Sequence, residues 1–372
     1  MYINDKRIVA TLDAGGTNLV FGALQGCEYI TEPISYPSQA HDLELCVKTI
    51  IKGFHEVIDS LPQKPSAISF AFPGPADYPH GIIGGFLPNF PSFRDGVALG
   101  PILEEEFGIP VYINNDGDLF AYGEALCGAL PAINRRLRDY GSSKRYRNLL
   151  GYTFGTGFGV GVIVNGQLNR GDNSCVETFC LPHCSKPRTI VEEGVAVRAI
   201  KRVYAEASGD YVHNLEPKEI CEIADGKREG DQRAAKRAFA ELGRTAGDAM
   251  AIAAQLIDGI IVIGGGITGA RHHILPALLD EIRSSFSTIT GEKVRRVQME
   301  VYNLDDETEF EQFARGKSRM IKVLGSNRMV EFDEAKRIGV TFSQLGASKA
   351  ISAGAYAFAL SELDRERVEE DA

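Results

Sequence analysis

Apolar and polar positions along the chain switch repeatedly between a strand-like and a helix-like period, and the switch points outline two similar halves. Residues 7–12 (RIVATL) form a β-branched, apolar run that ends at Asp13-Ala-Gly-Gly-Thr17, and a second apolar run, Leu19–Leu24, follows at once. This predicts a strand, a glycine turn and another strand. Over 42–60, Leu43, Leu45, Cys46, Ile50, Ile51, Phe54 and Ile58 recur near the helical period, and Ala67–Phe72 reads as a buried strand. After the loop Pro73-Gly-Pro75 the chain is irregular to about residue 98; it then predicts a helix over 99–107, a strand over 110–114 and a helix opening near Asp118.

The stretch 134–148, rich in Arg, Lys, Ser and Asn, reads as a surface connection. Leu149–Phe154, the turn Gly155-Thr-Gly-Phe-Gly159 and Val160–Val164 then repeat the strand, glycine turn and strand of residues 7–24, which points to an internal duplication of one supersecondary unit. Residues 233–257 predict an Ala-rich helix, Ile260–Ile263 a short buried strand, and Gly264-Gly-Gly-Ile-Thr-Gly269 the turn into another helix. A charged stretch, about 303–345, interrupts before a final helical run, Ala347–Leu363.

Composition narrows the function classes. The 372 residues are enough for two cores of ordinary size, and 40 Lys+Arg against 50 Asp+Glu give a net charge of -10 that disfavours nucleic acid as a partner. The basic cluster Arg135, Arg136, Arg138, Lys144, Arg145 and Arg147 reads as a solvated loop. Seven cysteines without a regular framework, and a charged start with no leader-like apolar core, predict a cytoplasmic protein with reduced thiols. No apolar run approaches the ~20 residues of a membrane span, so no membrane partner is expected.

The chemistry lies in the 40 glycines and in carboxylates at strand ends. Three glycine turns, each after an apolar strand, offer backbone N–H groups to an anion with no side chain in the way; as a set they suggest a polyphosphate. Asp13 beside the first turn suits Mg²⁺, which takes oxygen ligands. Asn114-Asn115-Asp116-Gly-Asp118 lies where a strand gives way to a helix, the edge at which α/β sheets bind ligands. Either acid suits a helix cap; Asp118 is read as the cap and Asp116 as facing the ligand. Gly264-x-Gly266-x-x-Gly269 also fits a dinucleotide fingerprint, which makes an NAD-dependent dehydrogenase a rival reading. It opens too late in the chain to leave room for a full dinucleotide domain.

Taken together these segments resemble the ROK group of sugar kinases (repressor, open reading frame, kinase). Asp13-Ala-Gly-Gly-Thr-Asn18 looks like its first phosphate motif, and Pro73-Gly-Pro75 with Leu87-Pro-Asn89 like its sugar-loop pattern. Asn115-Asp116-Gly-Asp-Leu-Phe-Ala-Tyr-Gly-Glu124 resembles its catalytic segment, Gly155-Thr-Gly-Phe-Gly159 its second phosphate motif, and Ile263-Gly-Gly-Gly-Ile-Thr-Gly269 its adenosine motif. The resemblance implies an α/β, two-lobed, actin-like ATPase (ribonuclease H-like) fold with a central interlobe cleft. Its N-terminal lobe would span 1–127, with the helix in 347–372 packing back on it, and its C-terminal lobe 128–346, including the charged insertion 303–345.

It further implies ATP-dependent phosphorylation of a hexose or N-acyl hexosamine by a homodimer, with Asp116 as general base. ATP would lie on Asp13, Gly15, Gly16, Thr17, Asn18, Gly155, Thr156, Gly157, Gly264, Gly265 and Gly266, with Mg²⁺ near Asp13 through water, and Asn89, Asn115, Glu177 and Glu193 would hold the sugar. Glu192 is as well placed as Glu193. The family's E-x-G-H segment is altered here to Glu177-Thr-Phe-Cys180 and its cysteine cluster is absent, which leaves a non-catalytic sugar or nucleotide sensor as a second reading. No structural zinc is expected, because the nearest grouping, Cys175, Cys180, His183 and Cys184, lacks a paired-cysteine knuckle. No N-terminal helix-turn-helix of the family's repressor branch is expected either.

Overall fold

The strand ending beside Asp13, Val9–Ala14, lies inside a six-stranded sheet of order Glu28–Tyr29, Asn18–Gln25, Val9–Ala14, Ala67–Ala71, Val111–Asn114, with Ile34–Pro37 also paired to Asn18–Gln25. The computed structural model describes residues 2–15, 17–74, 76–85, 87 and 89–370. Val9–Ala14 is antiparallel to Asn18–Gln25 and parallel to Ala67–Ala71, which is in turn parallel to Val111–Asn114. The register sets Asp13 opposite Ala71, and Ala71 opposite Asn114, so the carboxyl ends of three neighbouring parallel strands form one row. Helix Leu43–Asp59, capped by the Asp42 side chain on the Leu45 N–H, covers one face through Cys46, Ile50, Phe54 and Val57. Phe54 meets Phe21 and Phe70 there.

A second six-stranded sheet repeats the plan in the order Gln167–Leu168, Phe158–Val164, Leu149–Phe154, Ile260–Gly264, Arg337–Phe342, Glu300–Asn303, and its last four strands run parallel. In both sheets a strand, glycine turn and strand pair leads into parallel strands. By contact density the chain forms two compact units, residues 1–128 with 161–176 and 345–372, and residues 129–160 with 177–344. The last helix, Ala347–Glu370, packs within the first unit against helix Asp116–Leu126 and strand Ala67–Ala71. Among the described residues no helix is long and apolar enough to cross a membrane.

Three local expectations need correction. Residues Ala129–Asp139 form a helix, because Leu130, Ile133 and Leu137 share one buried face; Arg136 lies over the Phe310 ring and pairs with Glu307, so the basic cluster is only in part a solvated loop. The charged stretch 303–345 is more than an interruption. It supplies helix Glu307–Arg315, a hairpin (Ser318–Lys322 with Met329–Asp333) and the wholly buried strand Arg337–Phe342. Arg337 is buried in that strand because its guanidinium is met by Asp333 and by the Phe313 and Ala335 carbonyls. Finally, not all thiols are free: Cys27, in the turn after Asn18–Gln25, and Cys127, at the end of helix Asp116–Leu126, are joined in a disulfide with Cα atoms 6.3 Å apart.

Candidate active site

The first unit gathers the acidic groups. Asp13 and Asp116 stand at the carboxyl edge of the strand row, both keep exposed surface, and neither is ion-paired among the described residues. Asp116 opens its helix, and its Oδ1 accepts the Gly117 N–H at 2.9 Å. Surrounding protein strips water from the Asp116 carboxyl and raises its pKa above the usual range; backbone N–H groups oppose this, and the charge of Asp13 adds to it. Desolvation raises Asp13 as well. Two such carboxylates on one row of strand ends offer hard oxygen donors of the kind that Mg²⁺ takes.

The helix cap differs from the expected one. Asn115, not Asp118, is the N-cap, its side-chain oxygen accepting the Asp118 N–H at 2.7 Å. Asp118 is instead drawn inward to 7% exposure, near Arg170, whose guanidinium donates to Asn114 Oδ1 at 3.0 Å. Burial, opposed by Arg170, pushes the Asp118 carboxyl up to about 7. A folded pKa above the unfolded one means that the stabilisation is complete below the ordinary carboxyl pKa and is lost as pH rises through about 7. Asp118→Asn should therefore flatten the decline in stability between about pH 4 and pH 7, and melt above the parent at the upper end by a margin set by a shift worth a few kcal/mol. Parallel melting curves against pH for the two proteins would refute this.

Elsewhere in the first unit, the Gly15 N–H donates to the Asn18 carbonyl at 3.0 Å, closing the first turn, with Thr17 and Asn18 exposed. Gly16, Pro75 and Pro88 lie outside the described residues. Asn89 is exposed in a turn.

The second unit carries the other two glycine turns. Gly155 donates to the Gly157 carbonyl at 3.1 Å, and a Cβ on Gly155 would meet nothing within 4 Å, so this side of the turn is open. Glu192 closes the opposite side: its Oε2 accepts the Phe158 N–H at 3.0 Å and lies 2.9 Å from where a Gly157 Cβ would stand. Arg198 clasps Glu192 and Glu193, each at 2.8 Å, and donates to the Thr156 carbonyl at 3.1 Å. Glu193 is also paired with Arg202 at 3.7 Å, so of the two glutamates it is Glu192 that touches the turn. Glu177 is half-buried. Sequence reasoning missed Arg198 and Arg170, since neither belongs to a turn or strand end and only the fold sets them beside one.

Gly264 ends its strand, Gly265 has φ +99° with the Phe154 backbone against its Cβ position, and Gly266 opens a 3-10 helix to Ala270 that leads into helix Arg271–Ile282. The glycine triplet thus enters a 3-10 turn from a sheet whose other strands include a hairpin pair, which is not the setting of a dinucleotide fingerprint. Beside it lies a cavity of about 360 Å³ lined by Ile133, Arg136, Arg271, Leu304, Asp305 and Gln344, among others. In the segment weighed for zinc, Cys175, Cys180 and Cys184 are exposed, while buried His183 accepts the Ser185 N–H at Nδ1.

The chain is similar to several known proteins. A glucokinase from Parabacteroides distasonis is 58% identical and superposes with a TM-score of 0.89 over 97% of this chain and 99% of that one. The glucokinase of Thermotoga maritima is 25% identical over 291 residues, 73% of this chain and 86% of its own length. The xylose repressor of Bacillus spizizenii is 30% identical over 136 residues, 36% of this chain, and the chain spans only 31% of that protein. Residues 9–307 match the ROK family, and with that match, the repeated sheets and the strand-end carboxylates together, the chain belongs to the ROK family and has the actin-like ATPase fold of its sugar kinases.

Proposed function

We propose that the protein is an ATP-dependent sugar kinase that phosphorylates a hydroxyl of a hexose or N-acyl hexosamine, glucose being the first candidate. The observation that carries this reading is the pair of unpaired carboxylates, Asp13 and Asp116, on one row of strand ends. Asp116, its carboxyl desolvated by the surrounding protein, accepts the proton of the attacking hydroxyl as that oxygen bonds to the γ-phosphorus and ADP leaves. Its raised pKa makes it the stronger base. Asp13 is the residue that would hold Mg²⁺; the ion, when bound, neutralises charge on the transferring phosphoryl group. The open space beside Gly155 supports polyphosphate binding against that turn, with Arg198 and Glu192 fixing the turn from behind. Asn89, Asn115, Glu177 and Glu193 remain candidates for the sugar; the Arg198 and Arg202 pairs on Glu193 count against it, and Glu192 faces the nucleotide turn.

Release of ADP from ATP and Mg²⁺ in the presence of a sugar panel tests the reading. Sugar binding with no ADP release would make the protein a sensor instead, and the same assay without sugar gives the background.

Crowding the open turn separates the two ligands. Gly155→Val should weaken ATP binding roughly tenfold or more, through the ~1–3 kcal/mol of an overfilled contact, and leave sugar binding unchanged. Gly265→Val should fail differently, by unfolding, because its positive φ and the Phe154 backbone exclude a side chain. Calorimetry with each ligand decides it, and equal losses of both ligands in Gly155→Val would count against the turn as a nucleotide site.

A further inference from the structure

Within the second unit, helix Pro217–Ala224 and helix Arg271–Ile282 bring Cys221, Asp225, His272 and His273 together. One ligand-type atom of each lies within 4.8 Å of all the others. The Nε2 atoms of His272 and His273 both sit 2.8 Å from the same oxygen, Asp225 Oδ1. Phe239 stacks on the His273 ring at a centroid distance of 5.9 Å and holds its orientation. Lys227 takes the other carboxylate oxygen, Oδ2, at 2.9 Å, leaving Oδ1 to the imidazoles. The hydrogen bond from His272, with those from Lys227 and His273, keeps the Asp225 carboxyl below its usual range. None of these residues belongs to a glycine turn, to the carboxylate row or to the cysteine segment 175–184.

We propose that Cys221, Asp225, His272 and His273 form a binding site for a zinc-type divalent ion. One thiolate, two imidazoles and one carboxylate are the ligand types and the number that Zn²⁺ takes in a closed site, whereas Mg²⁺ and Ca²⁺ would be poorly served by sulfur and nitrogen. A simple ion pair with Asp225 needs one histidine; two ring nitrogens converging on one point, beside a thiol, describe a coordination centre. On uptake each neutral imidazole exchanges its Nε2 proton for one on Nδ1 and offers the freed Nε2 lone pair to the ion, and Cys221 gives its thiol proton to solvent as the metal–sulfur bond forms. Uptake therefore releases a proton and strengthens as pH rises. Because the second helix starts where the third glycine turn ends, the ion ties helix Pro217–Ala224 to the element that follows that turn.

The test uses full-length protein purified without a polyhistidine tag, stripped with a chelator and titrated with Co²⁺ as a spectroscopic probe, then with Zn²⁺. One equivalent of Co²⁺ should bind with a thiolate-to-cobalt charge-transfer band and ligand-field bands of tetrahedral intensity, and Zn²⁺ should displace it and raise the melting temperature. Cys221→Ser should abolish the charge-transfer band, His273→Gln should weaken binding roughly tenfold or more, and Cys184→Ser should change neither. If Cys221→Ser fails to fold by circular dichroism, His272→Gln, at an exposed position, carries the same test. Absence of a saturable single equivalent, binding that survives the Cys221 and His273 substitutions, or loss of the site in Cys184→Ser would each overturn the proposal.

Discussion

Asp116→Asn is expected to lower kcat by ~10²–10⁴-fold while changing sugar affinity only slightly, because asparagine keeps a hydrogen bond to the hydroxyl but cannot take its proton. Fold should be retained. The side chain stands at the first helical position with no ion pair, and an asparagine oxygen can still accept the Gly117 N–H, so the substitution removes the charge and keeps that hydrogen bond. Asp118→Asn is the matched control two residues on: its carboxyl is buried and turned toward Arg170, and turnover should persist. Initial rates and sugar-binding constants for the two variants decide the assignment. If the Asp118 variant lost turnover while the Asp116 variant kept it, the roles would be reversed.

The second large effect lies behind that helix. Gly123, on helix Asp116–Leu126, and Gly354, on the last helix, meet where the two backbones cross: a Cβ on Gly123 would overlap the Ala350 carbonyl, and one on Gly354 the Leu119 carbonyl. On another side, a Cβ on Gly161 would run into the Gly117 carbonyl and Ala121. Neither helix can give way easily, since Ala350, Ala353 and Ala357 are already buried around the crossing. Gly354→Val should therefore cost more than the ~1–3 kcal/mol typical of overpacking, and the variants that still fold should lose kcat, because the displaced helix begins at Asp116. Gly269→Ala, where an added Cβ meets nothing, should leave stability close to the parent's. Denaturant midpoints compare the three proteins, and a Gly354→Val midpoint near the parent's would sink the argument.

Much of the fold was readable from short segments. The hairpins around Asp13 and Gly155, helix Leu43–Asp59, helix Leu99–Phe107 and strand Ile260–Gly264 each declare themselves through a local period and a glycine or capping residue, which a few neighbours encode. Asp13 and Asp116 could be singled out for the same reason, as acids at the ends of such strands, and the order of the motifs carried the family resemblance.

Other features depended on partners far along the chain. Strand Arg337–Phe342 hides within a charged stretch, and only its place beside Ile260–Gly264, with Arg337 neutralised by Asp333, makes it core. Asp118 reads as a cap until the Asn115 side chain is seen to take that hydrogen bond, which leaves Asp118 to be buried. Cys27 and Cys127 are 100 residues apart, and the Glu192–Arg198 clasp reaches back to a turn near residue 156. Local period and turn chemistry are set by adjacent residues, whereas burial of a charge, a cysteine pair or a glycine crossing is set by which backbones the folded chain brings into contact, and only the tertiary structure decides that.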